Sequence, residues 1–360
     1  VNSADIARRR LRNQHISPAT LARPEDVVSR LGAVQAQDYP GAKWAVALRT
    51  AGATDAEFQE AFDEGRILRT HVLRPTWHFV TPADIRWMVA LSAPRINAAA
   101  GYRRRELGLT ERVFARSNAA VARALEGGRA LTRDELIAVL QKARLGLEVR
   151  ERFSHMLMRA EIDGLVCSGP LRGKQQTYML LDERVPPAGR LEREAALAEL
   201  AGRYFATRGP ATLADFVWWS GLTTGDARAG LEQVQDRLEQ AVVDGRTHWF
   251  PPAARGGARK ARAAYLLPDY DEYLVAYRDR SAVFDNAHSG GLGPRGNVLG
   301  DYTIVLDGRI AGVWTRNLKY DAVVIQAKPF APLTTAQQRA VRAAAERYGE
   351  FLGLPLLLAG

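Results

Sequence analysis

Before residue 251 the chain repeats one plan three times: helices, a capped helix, then two short strands around a tight turn. That repetition limits the folds open to it. The third copy is the clearest. A helical period over 191–207 is stopped by Gly209 and Pro210, and Thr212 caps a short helix, LADFVWW, that ends at Ser220-Gly221. A further helix opens near Thr224 and runs through GDARAGLEQVQDRL, and Asp244-Gly245 marks a hairpin. The middle copy has helices over 82–100 and 111–126, then a capping box of Thr132 and Glu135 that starts a third. A helix around ERFSHMLMRAEID follows, with LVCSG and QTYMLL flanking the turn Pro170 to Lys174. The first copy has helices at 5–14, 24–34 and 55–64 and the strand pair RTHVL and TWHFV.

From about residue 260 the pattern turns β-rich, in AAYLLP, DEYLVAY, DYTIVLDGRIAGVWTR and AVVIQAKPF. Asp307-Gly308 reads as a hairpin turn, 290–300 as a glycine-rich loop tip, and TTAQQRAVRAAAERYGEFLG as a closing helix. The chain is therefore expected to be α+β. Three tandem winged-helix units (1–81, 82–190 and 191–255) precede a small antiparallel β-barrel or curled sheet with its helix (256–360). The basic stretch 251–262 acts as linker.

Composition narrows the function classes. Fifty Lys and Arg against forty Asp and Glu leave a net charge of +10, which favours a polyanionic partner. Cys167 is the only cysteine, which excludes an internal disulfide and a thiolate zinc cluster. The six histidines form no HxxxH pair, so no metal and no cofactor is expected. No apolar run approaches the ~20 residues that span a bilayer. The basic N-terminus lacks the apolar core of a signal peptide. The expected setting is the cytoplasm, against the nucleoid.

Two segments carry candidate chemistry. In LGAVQAQDYPGAKWA, Gln35 and Gln37 stand two apart at the end of an apolar helix that breaks before Pro40, with Asp38 behind them. Spacing alone fits two amides capping a helix end. It also fits two neutral amides that hold a water and a sugar edge, which serves only a reaction whose leaving group is already good. In LRTHVLRPTWHFV, alternation puts Arg74, Thr76 and His78 on one face, with Leu73, Trp77 and Phe79 on the other. His71 and His78 fall on opposite faces. Trp218 and Trp219, although able to stack on bases, read as core of the third unit.

The Gln35-Ala36-Gln37 pair, the LRTHVLRPTWHFV strands, RGPATLADFVWWSGL, LLPDYDEYLVAYRDR and VLDGRIAGVWTR together resemble the bacterial winged-helix DNA glycosylases of the AlkZ and YcaQ group. The Gln-x-Gln spacing is similar to the AlkZ branch, because Asp38 falls one place too late for the Gln-x-Asp of the other. The resemblance implies a C-shaped channel for double-stranded DNA carrying alkylated bases or crosslinks, with Gln35 and Gln37 as the catalytic pair. It also implies excision of N7-alkylguanines and unhooking of interstrand crosslinks. Asp38, Arg74, Thr76 and His78 are supporting candidates on this reading. Arg172, Lys174, Arg316 and Lys319 are candidate phosphate contacts.

Two other classes stay open on the sequence. A winged-helix transcription regulator would use the same basic units, although such proteins usually carry one unit and dimerise, whereas three in one chain suit a monomer. A resistance protein that sequesters an alkylating drug would need no DNA at all.

Overall fold

The computed structural model describes residues 2–147, 149–187, 191–252, 263–293 and 296–359. Among these, no helix is long and apolar enough to cross a membrane. The expected linker lies, from 253 to 262, outside the described residues.

In chain order the elements begin with α1 (Ser3–Asn13), α2 (Pro24–Leu31), β1 (Val34–Gln35), α3 (Tyr39–Ala47) and α4 (Asp55–Asp63). The hairpin β2 (Leu68–Val72) and β3 (Thr76–Val80) precedes α5 (Ile85–Glu106), α6 (Glu111–Leu125), β4 (Leu131–Thr132), α7 (Arg133–Lys142) and α8 (Arg150–Ile162). Then come β5 (Val166–Ser168), β6 (Thr177–Leu180), α9 (Leu181–Arg184), α10 (Arg193–Arg208), α11 (Leu213–Ser220) and α12 (Thr224–Glu232). After β7 (Glu239–Val243) and β8 (Arg246–Phe250) the chain runs through β9 (Ala264–Leu267), α13 (Glu272–Val275), β10 (Thr303–Leu306) and β11 (Arg309–Leu318). It ends in β12 (Val323–Pro329), α14 (Thr335–Leu352) and β13 (Leu356–Ala359).

These elements gather into two compact units. One holds residues 1–58, 198–219 and 223–360; the other holds 59–197 and 220–222. The first is built on a five-stranded sheet in the order β13-β12-β11-β10-β9. The sheet is antiparallel except at its edge, where β13 runs parallel to β12, so a purely antiparallel barrel is replaced by an open mixed sheet. β10 and β11 meet at Asp307-Gly308, both with positive φ (50° and 87°), as the expected two-residue turn demands. DEYLVAY is not a strand. Its first residues form the short helix α13, capped by Asp271.

Aromatic rings tie the helices of this unit to the sheet. Trp44 of α3 donates its indole N–H to the Leu266 carbonyl at 2.7 Å and meets Tyr348 of α14 edge-on at 4.9 Å. Trp314 does the same from β11, donating to Leu267 at 2.9 Å. Buried Ile6, Leu11, Leu48, Val305 and Phe351 fill the space between. The same unit contains most of α10 and α11, all of α12, and the hairpin β7–β8, whose turn is Asp244-Gly245 as expected.

The second unit packs α6, α7 and α8 around Phe114, Leu125, Leu136, Phe153 and Tyr178. β4, β6 and β5 form a three-stranded sheet in that order. Thr132 and Glu135 make the capping box read from sequence, with each side chain reaching the other's backbone N–H. The helix expected over 82–100 is α5, which starts at Ile85 and runs on to Glu106.

Candidate active site

The glutamine segment is not a helix end. α2 stops at Leu31 on Gly32, whose φ of 79° suits only glycine, and Gln35 lies on the extended residues of β1. Pro40 opens α3 at its second position instead of breaking a helix before it. Proline is tolerated there because first-turn N–H groups have no intrahelical acceptor. Gln37 is thus a link residue between strand and helix. It is exposed, whereas Gln35 is buried.

Two adjacent acids, Asp271 and Glu272, sit beneath this segment. Glu272 is fully buried and accepts the backbone N–H of Gln35 on Oε1 at 3.0 Å. Its Oε2 accepts Nε and Nη2 of Arg208 at 2.9 and 2.7 Å and the indole N–H of Trp219 at 2.9 Å. Arg208, also fully buried, sends Nη1 to the Leu31 carbonyl and Nη2 to the Ala33 carbonyl, both at 2.8 Å. On the far side of the glutamines, Asp271 takes both Nη atoms of Arg49, at 2.9 and 2.8 Å. Arg49 follows α3 and donates in addition to the Ala45 carbonyl and to Oε1 of Gln14. One dipeptide therefore holds the chain both before Gln35 and after Gln37.

A second chain of contacts runs from Asp38. Its Oδ2 caps α3 by accepting the Gly41 N–H at 3.1 Å and accepts the Tyr302 hydroxyl at 2.8 Å. Only glycine fits at 41, because a Cβ there would come within 2.5 Å of that oxygen. Tyr302 in turn accepts from Nη2 of Arg316 at 3.1 Å, and Arg316 also bonds the Tyr348 hydroxyl. Burial pushes the Tyr302 phenol far above its usual range, with Asp38 and Asp269 adding to the effect, so it stays a neutral donor.

The other sequence candidates divide between the two units. Arg316 turns into the Tyr302 and Tyr348 hydroxyls beside Asp38. Lys319 is exposed at the β11–β12 turn, where its N–H bonds the Ala322 carbonyl. In the second unit, Arg74 lies in the turn after Leu73, off the strand, so alternation does not set its direction. Thr76 and His78 do share a face of β3, opposite Val72 and Thr70, and His71 faces the other way opposite Trp77. His78 is fully buried, its Nδ1 3.0 Å from the Thr76 carbonyl. Arg172 is exposed but paired with Glu135 at 2.7 Å, and Lys174 is exposed on the β5–β6 turn. Trp219 is core, and Trp218, part exposed, donates to the Val275 carbonyl. Among the described residues no group of three His, Cys, Asp or Glu could hold a metal ion.

Arg208, Glu272 and Tyr302 escaped the sequence reading. The signal was present: two adjacent acids inside the apolar run LLPDYDEYLVAY must find cationic partners if that run is buried.

A family model described as "DNA glycosylase AlkZ-like" matches residues 28–351. The curated interstrand DNA cross-link repair glycosylase of Streptomyces sahachiroi is 28% identical over 330 residues, covering 85% of each chain. The solved structure of the Streptomyces sahachiroi DNA glycosylase AlkZ superposes with a TM-score of 0.78 at 24% identity, over 100% of both chains, which establishes likeness of fold.

Proposed function

From the fact that this chain belongs to the AlkZ-like family of DNA glycosylases, we propose that it hydrolyses the N-glycosidic bond of N7-alkylated purines in duplex DNA. Unhooking of interstrand crosslinks is included in the proposal. The carrying observation is the glutamine pair itself. Gln37 is an exposed amide at the mouth of α3, and Gln35 is a buried one whose backbone is fixed by Glu272.

Neither amide can act as a strong base, and the chemistry does not ask for one. N7-alkylation gives the purine a positive charge, so the C1′–N9 electrons leave with the base and neutralise it. The sugar left behind resembles an oxocarbenium ion. Water adds to C1′, and its surplus proton passes to solvent. What the enzyme supplies is placement and preorganised dipoles. Gln37 holds the attacking water, and Gln35 orients it or contacts the deoxyribose. The Asp38 carboxylate, with Oδ2 held by Tyr302 and Gly41, adds negative charge that favours the cationic sugar.

In the same proposal the helices and hairpins before residue 251 act as three winged-helix units of a monomer. Arg172, Lys174 and Lys319 contact phosphates. A tethered crosslinked base cannot be swung fully into a deep pocket, which suits an amide as exposed as Gln37. The test is direct: isolated protein is incubated with a duplex containing 7-methylguanine, then with a crosslinked duplex, with no drug present. Free base and abasic sites are expected from both. Tight binding without base release from either would replace the glycosylase with a DNA-binding regulator.

A further inference from the structure

We propose that Glu272 is a positioning residue for the glutamine pair, acting through the backbone of Gln35 and locked in place by Arg208. The inference rests on the glycosylase reading of Gln35 and Gln37 and adds the part that sets their geometry.

A buried ion pair fixes direction more than it adds stability. Removing two charges from water offsets most of their attraction, so such a pair adds little stability that a hydrophobic pair of equal volume would not. It does impose direction, because each oxygen and each N–H must find a partner at a fixed angle. Arg208 uses its planar fork on both counts. Nε and Nη2 grip Glu272, while Nη1 and Nη2 reach the carbonyls of Leu31 and Ala33. Glu272 completes the set by accepting the Gln35 N–H. Backbone groups at 31, 33 and 35 are thereby fixed by two side chains from α10 and α13. Gln37 lies two residues on, with the Asp271–Arg49 pair holding the chain beyond α3. A displacement of about 1 Å in a positioned group costs roughly a hundredfold in rate, so this lock belongs to catalysis even though neither side chain is assigned to touch DNA.

Glu272→Gln is the informative change because it keeps the shape and reverses one hydrogen bond. The amide can offer its oxygen to Arg208 and Trp219 or to Gln35, but not to both. Three donors wait on that side, two from Arg208 and one from Trp219, so the amide nitrogen turns toward the Gln35 N–H and that bond is lost.

The experiment measures single-turnover release of 7-methylguanine at saturating protein, Kd for the same duplex, Tm, and hydrogen exchange at the Gln35 amide. For Glu272→Gln we expect release to slow ten- to a hundredfold, with Kd within twofold of wild type and exchange at Gln35 at least tenfold faster. Tyr204→Phe is the stability control. It removes the Tyr204 hydroxyl's bond to the Ala276 carbonyl in the same core without touching Gln35 or Glu272, and should lower Tm while leaving the release rate unchanged. A folded Glu272→Gln protein with wild-type release overturns the proposal, as does equal slowing in Tyr204→Phe. If Glu272→Gln does not fold, Arg208→Lys gives the same reading, since it keeps the charge but loses the fork. Slow release supports the lock, and wild-type release ends it. Should the wild-type protein release no base, the glycosylase reading falls, while the exchange rate at Gln35 still decides whether Glu272 holds that strand.

Discussion

Tyr302 donates its hydroxyl to Oδ2 of Asp38 across 264 positions of sequence, at 2.8 Å, and so ties the residue after Gln37 to the start of strand β10. The same oxygen caps α3, so loop, helix and sheet meet at one carboxylate. Tyr302→Phe removes the sheet's share and leaves the cap. It should cost about 1.5–3 kcal/mol of stability, the range for a hydrogen bond to a charged group, and slow base release only a few-fold. A urea midpoint identical to wild type would show that the bond carries nothing.

Arg316 separates two roles by experiment. A phosphate contact, when removed, would lower the salt slope of DNA binding by about 1 and leave the melting temperature alone. The contacts with Tyr302 and Tyr348 point instead to a structural guanidinium. Arg316→Met should therefore destabilise the fold by more than 1 kcal/mol, with the salt slope unchanged. A reduced slope with normal stability would return Arg316 to the DNA interface.

Lys174 and Lys319 are the contrasting pair, each exposed on a hairpin turn. Affinity for undamaged duplex should fall steeply as salt rises, and each Lys→Ala should reduce the slope by about 1 without moving Tm. Fluorescence anisotropy from low to moderate salt measures this, and a wild-type slope near zero would remove the electrostatic account of the +10 charge.

Where the sequence was readable, the reason was local. Asp244-Gly245 and Asp307-Gly308 require positive φ at both turn residues, and the Thr132–Glu135 box needs only a three-residue reach. What escaped was tertiary. α3 was hidden because Pro40 reads as a stop from upstream and as a start from downstream. DEYLVAY reads as a strand because a short apolar run has no period of its own, and α13 is buried throughout its length. The Glu272–Arg208 pair joins residues 64 apart, a separation no local pattern reports. Residue type alone singles out Gln35 and Gln37, yet the reason for their placing lies in those distant partners.

His248 supplies a pH dependence. Burial lowers its pKa below the usual 6.5, Arg10 adds to that, and the Arg246 carbonyl opposes it. His155 is lowered chiefly by burial as well. The unfolded chain then binds more protons than the folded one just below the ordinary histidine pKa. The contribution is present in full above about pH 6.5 and is lost as pH falls toward the folded values. Urea midpoints should be flat from pH 7 to 8 and drop toward pH 5, and His248→Gln should flatten part of that drop. A midpoint that rises on acidification would contradict the sign.

Cys167 should be chemically silent. It is fully buried on β5, and burial pushes its thiol up to about 12, so little thiolate exists at neutral pH. Iodoacetamide at pH 8 should leave it unlabelled in the native protein and modify it completely in denaturant, as read by intact mass. Rapid labelling under native conditions would mean that the strand opens far more often than its packing implies.

The glutamine pair gives the decisive contrast, because its members differ in burial. Gln37 is exposed between β1 and α3 and contributes little to the fold. Gln37→Ala should lower single-turnover excision by roughly ten- to a thousandfold, the effect of losing one positioned polar group, with Tm and DNA affinity unmoved. Gln35 is buried, so Gln35→Ala should lose rate and also about 1–3 kcal/mol of stability through the polar contacts and packing it gives up. The Gln35 backbone N–H to Glu272 survives in that variant, which separates the amide's own part from the strand's. Gln37→Glu adds a carboxylate that could activate water while repelling phosphate, and should weaken binding more than it slows excision. A Gln37→Ala protein that excises 7-methylguanine at the wild-type rate yet melts several degrees lower would reduce this residue to a link between strand and helix.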